Sequence, residues 1–212
     1  MEIKNKENIK NVIGKIRGDL KENQLDRLFS DAENEEPEAL CQLGWLVRFY
    51  LKDNDLSKKC FLLAGDKNYG KAYFYLSSMS ENSLSQEREY LWQGTALKDP
   101  QCYTTLARLF ETNGQNQSAL ELLKRGAEDG VDECGLELGR RYKKQGNKKE
   151  AIRAVYTLAE SGGKECLSQL GIWMCQGYVD GGDYKTGIKI LKQSRALGSY
   201  RADIYLRNKK EA

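Results

Sequence analysis

Apolar residues recur along this chain at helical spacing, and the pattern repeats. Aligning the small residues Ala39, Ala72, Cys102, Cys134, Cys166 and Ala202 gives intervals of 33, 30, 32, 32 and 36 residues. Four places after each stands a leucine: Leu43, Leu76, Leu106, Leu138, Leu170 and Leu206. The next position is small in five cases (Gly44, Ser77, Ala107, Gly139, Gly171) and is broken by Arg207. Three further on come Val47, Phe110, Tyr142 and Met174, with Ser80 as the exception. Offsets of 0, +4, +5 and +8 mark one face of a helix. Two small residues just over a turn apart let another helix approach closely, and the leucine and bulky residue beside them fill the gap. The pattern predicts the first helix of a helix–turn–helix unit.

A polar break follows each such segment, at 52–55, 81–85, 113–117, 145–147 and 180–183. Several of these breaks carry the glycine or asparagine that ends helices in a left-handed residue. Second helices are then predicted in "LSKKCFLLAG" (56–65), "REYLWQGTAL" (88–97), "SALELLKRGAEDG" (118–130), "EAIRAVYTLAESG" (150–162) and "GIKILKQSRALG" (187–198). A degenerate unit precedes them, with Ile9, Ile13, Gly14 and Ile16 on one helix and Leu25, Leu28, Phe29 and Ala32 on another. The expected organisation is a single repeat domain over residues 1–212. It has a degenerate repeat at 8–38, then repeats at 39–71, 72–101, 102–133, 134–165 and 166–201, and a capping helix at 202–212 with a polar tail. One such unit cannot bury its apolar face alone, so stacking has to supply the core.

Composition agrees with helices. There are two prolines in 212 residues, and both Pro37 and Pro100 sit where a first helical turn would tolerate them. The net charge of +3 exerts no global pull on nucleic acid or anionic lipid. It is unevenly spread, −2 over residues 1–100 and +5 over the rest. The opening "MEIKNKENIKNVIGK" is too polar for a signal peptide, and no segment is apolar enough to span a bilayer. A cytoplasmic location is expected, with the six cysteines as free thiols and no membrane partner.

The register of small residues, Leu-Gly and a large side chain resembles the tetratricopeptide superfamily, and within it the Sel-one-like repeats. "DAENEEPEALCQLG" (31–44) is similar to that family's junction between units. "CQGYVDGGDYKTG" (175–187) is similar to its loop, with Gly177, Val179 and Asp183 in place. The middle units, with short loops and 32-residue spacing, are nearer to ordinary tetratricopeptide geometry. The resemblance implies an all-α, right-handed α-solenoid of about six stacked antiparallel helix pairs. It also implies that the first helices line a concave face that binds another protein or peptide.

On that implied face the +6 column holds Trp45, Ser78, Arg108, Arg140 and Ile172. The +2 column holds Cys41, Phe74, Thr104, Leu136 and Ser168, and the +10 column Phe49, Asn82, Thr112, Lys144 and Gln176. Aromatic residues and arginine are frequent interface anchors. Trp45, Phe49 and Phe74 are therefore expected to take an apolar anchor, although Trp45 and Phe74 could instead pack against the preceding unit. Arg108, Arg140 and Lys144 are expected to meet carboxylates, Thr112 to hydrogen-bond, and Ile172 to complete the face. The partner is another protein or peptide; a narrower form is a bacterial immunity or inhibitor protein blocking a cognate toxin. A monomer is expected.

Candidate chemistry is thin. The chain has no histidine, which removes the commonest general base and excludes Ser-His and Cys-His nucleophile pairs. Cys102, Cys134 and Cys166 stand in a column that alanine otherwise fills, and they read as small packing residues. Successive helix-packing layers lie roughly 10 Å apart, whereas zinc–sulfur bonds are about 2.3 Å, so these three cannot share an ion. There is no CxxC, phosphate-binding glycine loop or metal-binding spacing. The acidic "DAENEEPE" (31–38) reads as a solvated junction. The run "GRRYKKQGNKK" (139–149) carries six cations in ten residues, Arg140 to Lys149, without stacking aromatics beside it. It reads as a solvated face, with a nucleic-acid-binding regulator as the alternative. No enzyme activity, cofactor or metal is expected.

Overall fold

A computed structural model of the chain describes residues 6–16, 22–79 and 81–210. Ser80, the side chain of Ile16 and residues 211–212 of the expected cap lie outside them. Every element among the described residues is helical, in the order α1 (Lys6–Ile16), α2 (Glu22–Glu33), α3 (Pro37–Leu46), α4 (Asn54–Asp66), α5 (Gly70–Ser77), α6 (Leu84–Ala96), α7 (Pro100–Thr112), α8 (Asn116–Glu128), α9 (Asp132–Lys144), α10 (Lys148–Glu160), α11 (Lys164–Cys175), α12 (Tyr184–Ala196) and α13 (Tyr200–Lys210). A π-turn over Val47–Leu51 extends α3. Consecutive helices such as α3 and α4, α5 and α6, α9 and α10, and α11 and α12 pack on one another, and the short connections make neighbours antiparallel. The architecture is the expected all-α stack of helix pairs. The chain divides into two compact units, residues 1–102 and 103–212.

The connections from second to first helices follow one pattern. In each, three residues join the helices, and the third returns a hydrogen bond to a carbonyl five residues back. Tyr69 N–H donates to Ala64 O at 3.1 Å, Asp99 to Gly94 at 3.0 Å, Val131 to Gly126 at 2.9 Å, Gly163 to Leu158 at 2.8 Å and Ser199 to Ser194 at 3.1 Å. That bond forces the middle residue into the left-handed region, held by Asn68, Lys98, Gly130, Gly162 and Gly198. Glycine is the low-cost solution in the last three.

In the first unit, Ile13, Phe29, Ala32, Leu40, Leu43, Val47 and Phe61 are wholly buried. In the second, Val155, Leu158, Cys166, Leu170 and Trp173 form one buried cluster. Leu191, Ala202 and Leu206 form another. All six leucines of the +4 column are buried, as the phase of the pattern predicts. At Gly44, Gly139 and Gly171 the small residue beside the leucine is where the two helices of a pair meet. A Cβ on Gly44 would lie 2.8 Å from the Phe61 ring on α4. On Gly139 it would lie 2.5 Å from Val155, and on Gly171 2.9 Å from Leu191. These distances leave no room for a methyl group.

The cysteine column makes the complementary contact, with the helix before it. Cys102 Sγ occupies the space a side chain on Gly94 would need, and Cys134 Sγ that of Gly126. Cys166 donates its thiol toward Asp132 O at 3.2 Å. The Asp132 carboxylate also reaches into the next repeat, accepting from Glu165 N–H at 2.5 Å and Cys166 N–H at 2.9 Å. It thus satisfies first-turn amides of α11 that the helix itself leaves unpaired. The absence of a side chain at Gly163 makes room for this carboxylate, since a Cβ there would lie 2.5 Å from Asp132 Oδ1.

Gly126→Ala is expected to lower stability by about 1–3 kcal/mol through overpacking. Because the overlapping atom is the Cys134 sulfur, Cys134→Ala in the same chain is expected to restore part of that loss. Denaturant titration of the four chains of this double-mutant cycle measures the coupling. Purely additive effects would show that the thiol does not set the helix spacing.

Candidate functional site

In the first unit, the site grows out of a miscount in the repeat. The left-handed residue that ends the first helix falls 12 places after the small residue at Gly114 and Gly146, and 11 places after it at Gly177. In the repeat that begins at Ala39 it is Lys52, 13 places on, with φ 57°. The extra residue is absorbed by the π-turn over Val47–Leu51. Residues five apart on an α-helix are rotated by roughly 140° and do not meet. A π-turn brings them onto one side. Trp45 therefore contacts both Phe49, stacked at 5.3 Å and 10°, and Tyr50, edge-on at 6.1 Å.

The neighbouring helix completes the cluster. Phe74 and Tyr75 on α5 lie 5.5 Å apart, and Tyr75 stacks on the buried Phe61 at 5.2 Å. Arg48, within the π-turn, holds the end of α5. Its guanidinium donates to Ser78 O at 2.6 Å, Ser78 Oγ at 2.8 Å and Tyr75 O at 3.4 Å, where the helix dipole also favours a cation. A cavity of about 370 Å³ results, with Trp45, Phe49, Phe74 and Tyr75 in its wall and Arg48 and Lys52 at its edge. Trp45 and Tyr75 also line a second cavity of about 420 Å³, shared with Leu25, Leu28, Cys41 and Lys71. Phe49 is 56% exposed despite its size. The three aromatic residues expected to act together are brought together here.

In the second unit the expected cations have a different setting. Arg108 and Thr112 on α7 are both exposed, and the Thr112 hydroxyl donates to Leu109 O at 3.0 Å. Arg140 is exposed but paired with Glu137 at 2.6 Å. Lys144 is exposed. Ile172, expected on the open face, is half-buried and packs against the cluster of Leu191, Ala202 and Leu206. The basic run is largely committed to contacts between repeats. Arg141 makes a forked pair with Glu111 at 2.6 and 3.0 Å and also meets Glu137 at 2.9 Å. Lys143 sits 4.3 Å from the centre of the Tyr178 ring, and Lys148 pairs with Asp180 at 2.6 Å. Sequence columns missed Arg48 and Arg141, because a long side chain reaching about one repeat along leaves no periodic mark.

No other chemistry gathers among the described residues. No group of three His, Cys, Asp or Glu side chains is placed to hold a metal ion. Burial pushes the Cys41, Cys60 and Cys134 thiols up to about 12, and raises Cys102 and Cys166 further. They are protonated and poorly nucleophilic at neutral pH. No described helix is long and apolar enough to cross a membrane.

The structure thus defines a class, stacked helix pairs, with an aromatic cavity in the first unit. Among solved structures the fold is similar to a Sel1 repeat protein from Oxalobacter formigenes, with a TM-score of 0.57 and 16% identity over 89% of this chain and 83% of that one. A protective antigen of uropathogenic Escherichia coli strains with an SLR fold aligns at a TM-score of 0.47 and 18% identity, over 86% of this chain and 43% of the antigen. No protein-family profile and no curated protein matches the chain.

Two measurements separate the structural cations from the free ones and the packed thiols from reactive ones. Arg141→Ala is expected to cost about 1.5–3 kcal/mol, since it removes charge-assisted bonds and leaves Glu111 facing an empty site. Arg140→Ala should cost less than about 1 kcal/mol, being an exposed pair. Thermal denaturation that ranked them the other way would reverse these two roles. The five buried thiols should react with Ellman's reagent at neutral pH only as fast as the chain opens, and rapid native-state labelling of Cys134 would contradict their packing role.

Proposed function

We propose that this chain is a non-catalytic protein-interaction module whose anchor site is the aromatic cluster of Trp45, Phe49 and Phe74. The observation that supports it most is the exposed Phe49 ring stacked on the half-buried Trp45 beside a cavity. Large aromatic rings held in place by packing lose little entropy on binding and serve as hot spots. The Sel1-type fold is a scaffold built from repeated surfaces, which suits recognition of an extended partner. Arg108, Arg140, Lys144 and Thr112 are the polar contributors proposed for the second unit, with Ile172 a minor one given its burial. The nucleic-acid alternative is disfavoured by the pairing of Arg140, Arg141, Lys143 and Lys148 within and between the repeats.

The experiment is affinity capture from native lysate, identification of the captured protein, and titration of that purified partner against variants. Phe49→Ala combined with Phe74→Ala is expected to weaken binding at least tenfold, about 1.4 kcal/mol or more. Arg108→Glu with Arg140→Glu is expected to weaken it by a smaller factor. Affinity unchanged in both double variants would overturn the reading.

A further inference from the structure

The aromatic cavity at the π-turn has a charge that narrows what can enter it. Its edge carries two cations, Arg48 and Lys52, and no lining residue is acidic. Two carboxylates stand nearby without lining the cavity. Asp53, adjacent to Lys52, accepts from Leu56 N–H at 2.9 Å and caps α4. Glu81 reaches the rim only by accepting from Asn54 at 2.8 Å. Arg48 spends its donors on the end of α5, but its positive charge stays at the cavity edge. Lys52 pairs with no carboxylate among the described residues; its ammonium lies 5.2 Å from the centre of the Phe49 ring. The backbone at Lys52 is left-handed, a position that glycine fills at Gly114 and Gly146, and its side chain stands over the Phe49 ring of the π-turn.

Rings lined up around a cavity can hold a cationic head group. Here Arg48 and Lys52 oppose that, and the site instead favours an apolar group with a negative charge next to it. The cavity volume is at the small end for ligand sites, enough for one large side chain and its backbone. The second cavity shares Trp45 and Tyr75 and carries Leu25 and Leu28, with Glu38 and Lys71 also in its lining. A bound chain therefore has apolar surface to follow on both sides of the Trp45–Tyr75 ridge, which suits an internal peptide segment rather than a chain end.

We infer that the π-turn cavity of the first unit reads a short extended peptide motif, one large apolar side chain next to an aspartate or glutamate. The apolar side chain sits among Trp45, Phe49 and Phe74, and the acid meets Lys52. This rests on the protein-interaction reading and moves the acid-reading cation from the second unit to the first. It makes the one-residue insertion in the first full repeat the source of specificity.

The test uses the full chain and random peptides displayed on phage as internal segments. Enriched peptides are expected to share a large apolar residue within two positions of Asp or Glu. A synthetic winner, capped at both ends and followed by fluorescence anisotropy, is expected to lose about tenfold in affinity to Lys52→Glu. Lys52 is solvent-exposed, so this variant should keep its helical circular dichroism. Phe74→Ala is expected to lose at least as much, and replacing the peptide's acid by its amide should remove most of the sensitivity to Lys52→Glu. Enriched peptides that bind Lys52→Glu and Phe74→Ala as well as the parent would overturn the cavity assignment while leaving a peptide-binding function elsewhere on the chain. Enrichment of motifs without an acid would overturn the charge argument. Failure to enrich any peptide above a protein-free blank would overturn both this inference and the interaction reading.

Discussion

The close approach of consecutive helices at small side chains is the constraint on which the rest depends. Within a pair, the gap closes at Gly44, Gly139 and Gly171, where a single methyl would collide with the facing helix. Between pairs it closes where Cys102 and Cys134 press against Gly94 and Gly126. Short helices of this kind have little stability alone. Their burial comes from being held near enough for Leu43, Leu138 or Leu170 to fill the space between. The thiols are chosen for volume and apolarity, and their raised protonation range is a consequence of that burial.

Much of this could be read from the sequence, for a physical reason. A buried leucine must return at a fixed helical phase, so the +4 column is written into one dimension, and all six members are buried. The small positions are legible for the same reason. Side chains that act across repeats are harder to read. Arg141 looks like one more cation in a basic run until the fold brings Glu111, 30 residues away, against its guanidinium. Trp173 falls between the chosen columns yet is 2% exposed under Tyr178. Ile172 stands at the same offset as Arg140, but α12 and α13 supply it with a packing cluster.

The aromatic site was legible as a set of residues but not as a geometry. Offsets of +6 and +10 put Trp45 and Phe49 on one helical face, and they do stack. The reason they share a cavity edge with Lys52 is the thirteenth residue before the left-handed turn. A template of regular helices treats that residue as loop variation. The chain instead takes it up inside the helix as a π-turn, the kind of local irregularity that recurs at functional sites. The same irregularity places Arg48 where it can bind the end of α5, so one inserted residue shapes the wall, the rim and the support of the cavity.

The Asp132 carboxylate has a consequence for how such an array can change over generations. It belongs to α9, yet the amides it satisfies, those of Glu165 and Cys166, open α11. A cut between the two would leave an unpaired acid on one side and unpaired first-turn amides on the other. Duplication or loss of a unit therefore leaves no group orphaned only when the segment exchanged carries the acid together with Glu165 and Cys166. Such a segment overruns the helix pair α9–α10 by the first turn of α11.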